Sequence, residues 1–131
     1  MNDLFLKVAA ATPDIRVADP DYNTEQIIEC MQKANTEHAK LLVLPELCLT
    51  GYTCGDLFLQ KALLDGAISG LNRIRKVSAN MDMMTIVGLP FSYMNRLYNV
   101  AAVVFHVATN GKDAGTRRLQ LCLAHAYGRT R

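Results

Sequence analysis

The chain has 131 residues, is 50% hydrophobic and 20% charged, and carries a formal charge of +2 at pH 7. This length predicts one domain and at most one complete one, and the apolar content excludes a disordered chain, which lacks the surface to offset the entropy of ordering. No apolar run approaches the roughly 18 residues that span a bilayer, and the N-terminus lacks the basic-then-apolar layout of a secretory leader, so the expectation is a cytoplasmic protein with no membrane partner.

LFLKVAAA at 4–11 is a short apolar run stopped by Thr12-Pro13, the pattern of a buried strand. Pro13 and Pro20 bracket a loop. Asn23, with Gln26 three residues on, predicts a helix start. Beyond it Ile27, Ile28, Met31 and Ala34 mark one helical face, and Glu25, Glu29, Lys33 and Glu37 the other, with Glu29 and Lys33 a favourable i,i+4 pair. LLVLP at 41–45 predicts a second strand, apolar throughout and so expected to be covered on both faces. A polar, glycine-containing loop occupies 46–56. A second helix is predicted over 58–79, with Leu59, Leu63, Ala67, Leu71 and Ile74 inward. Gly66 and Gly70 each weaken it by about 1 kcal/mol and suit a close packing contact. MTIVGL at 84–89, ended by Pro90, predicts a third strand, and YNVAAVVF at 98–105 a fourth. The short FSYMNR link between them predicts an antiparallel hairpin.

Strand, helix, strand, helix, strand, strand is the order of an α/β layer architecture, with at least one right-handed crossover and helices on one face of the sheet. After Phe105 this pattern fails. VATNGKDAGTRRLQLCLAHAYGRTR offers a helix over 116–126 and no alternation that continues the sheet. The charge breaks at the same place. Residues 1–106 carry nine Lys/Arg and eleven Asp/Glu, a net of −2, whereas 107–131 carry Lys112, Arg117, Arg118, Arg129 and Arg131 against Asp113 alone, a net of +4. The expected organisation is a domain over 1–106 and a basic tail over 107–131 that is foreign to it, as frameshifted or vector-derived sequence would be. The competing reading is an arm for nucleic acid. The tail has no aromatic interleaving beyond Tyr127 and no binding motif, so no nucleic-acid partner is expected.

Leu44-Pro45-Glu46 puts a carboxylate at the end of a buried strand, and in α/β proteins ligands gather at the carboxyl ends of strands. Partial burial at such a place raises a carboxyl pKa and suits the group to general-base work. Strand ends are also where chains meet water, so a solvated surface Glu is the plain alternative. The loop that follows, LCLTGYTCGD at 47–56, favours the functional reading. It sets small residues and one aromatic, Tyr52, beside the carboxylate instead of the charges of an ordinary turn. Cys30, Cys48, Cys54 and Cys122 form no C-x-x-C and read as free cytosolic thiols, Cys48 and Cys54 as packing or loop residues. His38, His106 and His125 show no ligand spacing, and no metal site is expected.

LPELCLTGYTCGDLF at 44–58 resembles the segment around the catalytic glutamate of the carbon–nitrogen hydrolase (nitrilase) superfamily, and most closely its glutaminase branch in bacterial glutamine-dependent NAD synthetases. LKVAAATP at 6–13, IVGLP at 86–90 and LYNVAAVVF at 97–105, with its Asn-x-Ala pattern, resemble further strands of that family. The resemblance covers residues 1 to about 106. It implies a partial nitrilase-like αββα sandwich, a mixed sheet with flanking helices, here truncated. It also implies an amide-hydrolysing triad in which a cysteine attacks the side-chain amide of glutamine, a glutamate moves the protons and a lysine stabilises the oxyanion. Glu46 matches the glutamate, and Tyr52 aligns with a tyrosine near the glutamine pocket.

The same resemblance implies no cofactor for the amidohydrolase step, with ATP and Mg2+ expected only at the separate synthetase domain that receives the ammonia, and a homo-oligomer for the complete protein. The match stops at the tail. The family's lysine and cysteine are not found: Lys112 lacks the preceding strand and Pro of the lysine motif, and Cys122, even with His125 three residues on, lacks the Ile-Cys-Glu-Asp context. The expected function is therefore a glutamine amidohydrolase fragment, inactive by itself. The alternatives are a stand-alone hydrolase of another small amide, or a non-catalytic fragment that only folds or associates. An uncovered sheet face is expected to drive such a fragment to dimerise or aggregate.

Overall fold

The structure is a computed structural model that describes residues 5–107 and 116–126, with side chains described for residues 5–105. Its elements are β1 (Val8–Ala10), α1 (Pro20–Thr36), β2 (Leu41–Val43), a 3-10 turn (Gly55–Leu59), α2 (Lys61–Ser78), β3 (Met84–Tyr93), β4 (Arg96–Val107) and β5 (Thr116–Ala126). They form one mixed sheet in the order β1-β2-β3-β4-β5. The pairs β1–β2 and β2–β3 are parallel and each is joined by a helix, while β3–β4 is the antiparallel hairpin that the FSYMNR link predicts.

The register separates the two faces. Ala9, Leu42, Thr85 and Val104 lie in one row, and Leu42, Thr85 and Val104 are at most 1% exposed under the helices. Ile27, Met31 and Ala34 of α1 and Ala67, Leu71 and Ile74 of α2 pack with them into a single core. In the neighbouring rows Val8 is 58%, Val43 40% and Met84 39% exposed. β2 is therefore covered on one face only among the described residues, against the expectation of cover on both. The core is the space between the sheet and one helix layer.

Helix α1 begins earlier than Asn23 predicts. Asp19 is the N-cap, its side chain accepting from Tyr22 N at 3.1 Å, and Pro20 takes the first turn, where a missing N–H costs nothing. Asn23 is wholly buried in the second turn, where its amide accepts from Arg16 N (2.7 Å) and donates to Arg16 O (2.8 Å) and Leu49 O (3.0 Å). It thus ties the β1–α1 loop and the loop after β2 to the helix. Helix α2 begins later than predicted. Gly55–Leu59 forms a 3-10 turn, so Leu59 is 64% exposed rather than inward, while Leu63, Ala67, Leu71 and Ile74 are buried as expected. Gly66 and Gly70 do mark a close contact. A Cβ at Gly70 would strike Thr24 Oγ1 and lie 3.1 Å from Leu49 Cδ2, and one at Gly66 would lie 3.1 Å from Pro20 Cγ.

Residues 116–126 are a strand and not a helix, and they do continue the sheet. β5 pairs antiparallel with β4 from Val107↔Thr116 to Tyr98↔Ala126, with an irregularity at Asn99/Val100. The physical reason lies in LQLCL, which places Leu119, Leu121 and Leu123 two apart, opposite Val104, Ala102 and Val100. That is the period of a strand.

Candidate functional site

Glu46 stands three residues beyond β2, where the chain is still tied to β3 through Leu44 N, which donates to Ile86 O at 3.1 Å. The backbone then passes directly over Gly88. A Cβ at Gly88 would collide with Leu47 N, and would lie 2.7 Å from Pro45 O and 2.9 Å from the Glu46 carbonyl carbon. Only glycine leaves room for so close a passage. Leu47 takes a left-handed φ of 51°, a conformation that costs a non-glycine residue about 1–3 kcal/mol. Burial holds it there: Leu47 is 2% exposed in a small cluster with Cys54, Phe58 and Leu63, and its carbonyl accepts from Thr50 N (3.1 Å) and Gly51 N (2.7 Å). Leu49 N donates to Gly88 O at 3.2 Å, which closes the loop on β3.

The Glu46 carboxylate is exposed, not partly buried as the strand-end position suggests, because the loop turns it outward while Leu47, Cys48 and Leu49 turn in. Its placement comes instead from a hydrogen bond. Asn99, in β4 opposite Pro90 of β3, donates through Nδ2 to Glu46 Oε1. Asn99 is 3% exposed. The Asn-x-Ala pattern contains this residue, but its partner is 53 positions away, and no local signal in YNVAAVVF points to Glu46.

The other predicted residues lie apart. Tyr52, on the same loop, is 76% exposed and makes no hydrogen bond to Glu46. Burial pushes the Cys48 thiol up to about 12, so it remains a protonated packing residue whose Sγ–H points to Gly88 O at 3.6 Å. Cys54 is also buried, its Sγ–H donating to Thr50 O at 3.2 Å. Lys112 lies outside the described residues. Cys122 and His125 are in β5, opposite Ala101 and Asn99, so the helical i,i+3 relation between them does not exist. A groove of about 340 Å³ lies elsewhere, between α1 and the β1 edge, lined by Ala9, Cys30, Ala34 and Leu42 among others. An exposed carboxylate, fixed by a buried amide at the end of a parallel strand, can accept and return a proton. No lysine or cysteine side chain among the described residues is bonded to it.

The sequence profile described as Carbon-nitrogen hydrolase matches residues 7–129. The chain is 34% identical over 107 residues to the glutamine-dependent NAD(+) synthetase of Mycobacterium bovis, an alignment covering 82% of this chain and 16% of that protein. It therefore spans about a sixth of the length of such relatives. The structure of a glutamine-dependent NAD(+) synthetase from Acinetobacter baumannii, in complex with ADP, matches with a TM-score of 0.70 and 29% identity over 76% of this chain and 19% of that one. An amidase from Nesterenkonia sp. shares the fold, with a TM-score of 0.65, 21% identity and coverage of 76% and 38%. The mixed sheet, its helix layer and the Glu46 loop are thus parts of a nitrilase-type fold, and the chain belongs to the carbon–nitrogen hydrolase family of enzymes.

Proposed function

We propose that this chain is the Glu46-bearing part of a glutamine amidohydrolase domain of the kind found in glutamine-dependent NAD(+) synthetases. The observation that carries the reading is the Glu46 carboxylate, exposed at the end of β2 and fixed by Asn99. The relatives' names supply the substrate class.

In this reaction a cysteine thiol adds to the side-chain amide carbon of glutamine. Glu46 takes the thiol proton and delivers it to the departing nitrogen, and a lysine holds the oxyanion of the tetrahedral intermediate. Ammonia leaves and a thioester remains, which water hydrolyses to glutamate. The exposed position of Glu46 suits this work, since the carboxylate must face a substrate and not the core. Tyr52, on the same loop, borders the glutamine in this reading. No step involves a metal or cofactor. ATP and Mg2+ belong to the amidation that consumes the ammonia, on a separate synthetase domain, and the working enzyme is a cytoplasmic homo-oligomer.

The test is ammonia release from glutamine. The 131-residue chain alone should release none above background, because no lysine or cysteine partner for Glu46 is recognisable in it. Residues 1–106 continued in the native frame of their own gene should be active, and Glu46→Ala should lower kcat by about 10²–10⁴-fold. Hydrolysis of other small amides but not glutamine would favour a stand-alone amidase. Robust glutaminase activity of the 131-residue chain that Cys122→Ala removes would overturn the assignment of partners.

A further inference from the structure

We infer that Asn99 is a positioning residue, which holds the Glu46 carboxylate in one orientation and leaves its second oxygen free to take the proton. This rests on Glu46 acting as the base proposed above. A carboxylate only accepts hydrogen bonds, so the amide face turned toward Oε1 must be the NH2 group. That fixes the other end. Asn99 Oδ1 is buried and has no hydrogen-bond partner among the described residues.

A buried carbonyl without a partner costs about 1–3 kcal/mol. Asn99 bears this cost in the middle of a strand that reads YNVAAVVF, at a buried position where valine or leucine would be the more stable choice. Strand packing therefore does not account for an asparagine. The compensating interaction is the charge-assisted bond to Glu46, stronger than one between neutral groups.

That bond also has a chemical direction. With one lone pair of Oε1 taken by Nδ2–H, Oε2 of Glu46, which has no hydrogen bond among the described residues, is the more basic oxygen and the one better placed to receive a proton. The amide, buried and held in its strand, discriminates between the two oxygens. The backbone under Glu46 is fixed by Gly88 and Leu47, so the side-chain torsions are the remaining freedom, and Asn99 removes it.

The experiment is nuclear magnetic resonance on the isotopically labelled 131-residue chain, reading the Glu46 side-chain couplings and the exchange of the Asn99 side-chain amide. Glu46 should occupy one rotamer. Glu46→Ala, at an exposed position, should leave the backbone fingerprint intact and speed Asn99 amide exchange about tenfold or more. Asn99→Leu, close in volume but without the donor, should let Glu46 average over several rotamers, and Asn99→Ala should do the same. A purely structural role for Asn99 would change stability and leave the Glu46 couplings alone. An unchanged Glu46 rotamer in folded Asn99→Leu, or unchanged Asn99 amide exchange in Glu46→Ala, overturns the inference. If both Asn99 variants unfold, the Glu46→Ala measurement decides. None of these readouts uses turnover, so failure of the glutaminase reading shows separately, as ammonia kinetics that ignore Glu46.

Discussion

A thiol held near a pKa of 12 by burial stays protonated and unreactive at neutral pH, and Cys48 is such a thiol. Cys30 is only partly buried, and burial raises its pKa as well. With a chromogenic disulfide reagent at pH 8, Cys30 should react first among the three described cysteines. Cys48 and Cys54 should react only at the rate of unfolding. Fast labelling of Cys48 in the folded chain would show that the loop over Gly88 opens. Gly88 itself gives a sharper test. Gly88→Ala places a methyl against the backbone of residues 45–47, which has no rotamer with which to yield. The expected cost is about 1–3 kcal/mol, seen in the denaturation midpoint, together with displaced Glu46 resonances. At this scale the sequence singles out Glu46 as a candidate, since its loop carries small residues where a solvated turn carries charges, and the structure places that side chain exposed beyond β2. It did not show Asn99 as Glu46's partner, because a contact between residues 46 and 99 is set by the pairing of β3 with β4 and by no local pattern.

Elements are joined here by a few polar groups with several partners each. Asn23 serves three backbone atoms from the interior of α1. Asn23→Ala should cost about 3 kcal/mol, since it strands buried donors and acceptors in two loops at once, and equilibrium denaturation measures it. Exposed pairs contribute far less. Lys40 and Asp82 join the start of β2 to the turn before β3 at 2.6 Å, and the hydrogen bond from Lys40, aided by its charge, lowers the Asp82 pKa. A depressed carboxyl pKa stabilises the fold above its unfolded value, and that contribution is lost as pH falls through the folded value. Asp82→Asn should therefore lower stability slightly at pH 6, by no more than about a few tenths of a kcal/mol, and the effect should shrink as pH falls through the folded pKa or as salt rises. The helix starts show where local reading fails. Asn23 with Gln26 imitates a capping box, but Asp19-Pro20 was the better signal, and Asn23 is drawn inward by loops distant in the chain. β5 was missed for a related reason. Its arginines and the preceding glycines obscure three leucines at strand spacing, whose register is supplied by β4.

Across the whole molecule the sheet has one face under helices and one that is open among the described residues, with Val8, Val43 and Met84 in it. Apolar sheet faces of this kind associate. Sedimentation velocity on the 131-residue chain should show concentration-dependent self-association, and Val43→Thr with Met84→Gln should reduce it. A monodisperse monomer at high concentration would show that the face is covered by other means. The origin of residues 107–131 belongs to this scale too. From the charge break at residue 106 we propose that the gene's native frame departs from this sequence there. The pairing of β5 with β4 and the profile match to residue 129 count against it, and a native gene encoding the tail in the same frame overturns it.

The sheet's strand order repeats the chain order, from β1 to β5. During synthesis each emerging strand therefore meets an edge that already exists, and no early strand must wait for a late one to be inserted beside it. Glu46 is the exception. Its partner amide is 53 residues downstream, and at about 5–20 residues per second the ribosome takes about 3–10 s to deliver it. Through that interval the nascent sheet has its carboxylate but not the means of aiming it, so Glu46 is oriented by the arrival of β4 and not by the folding of the loop that carries it.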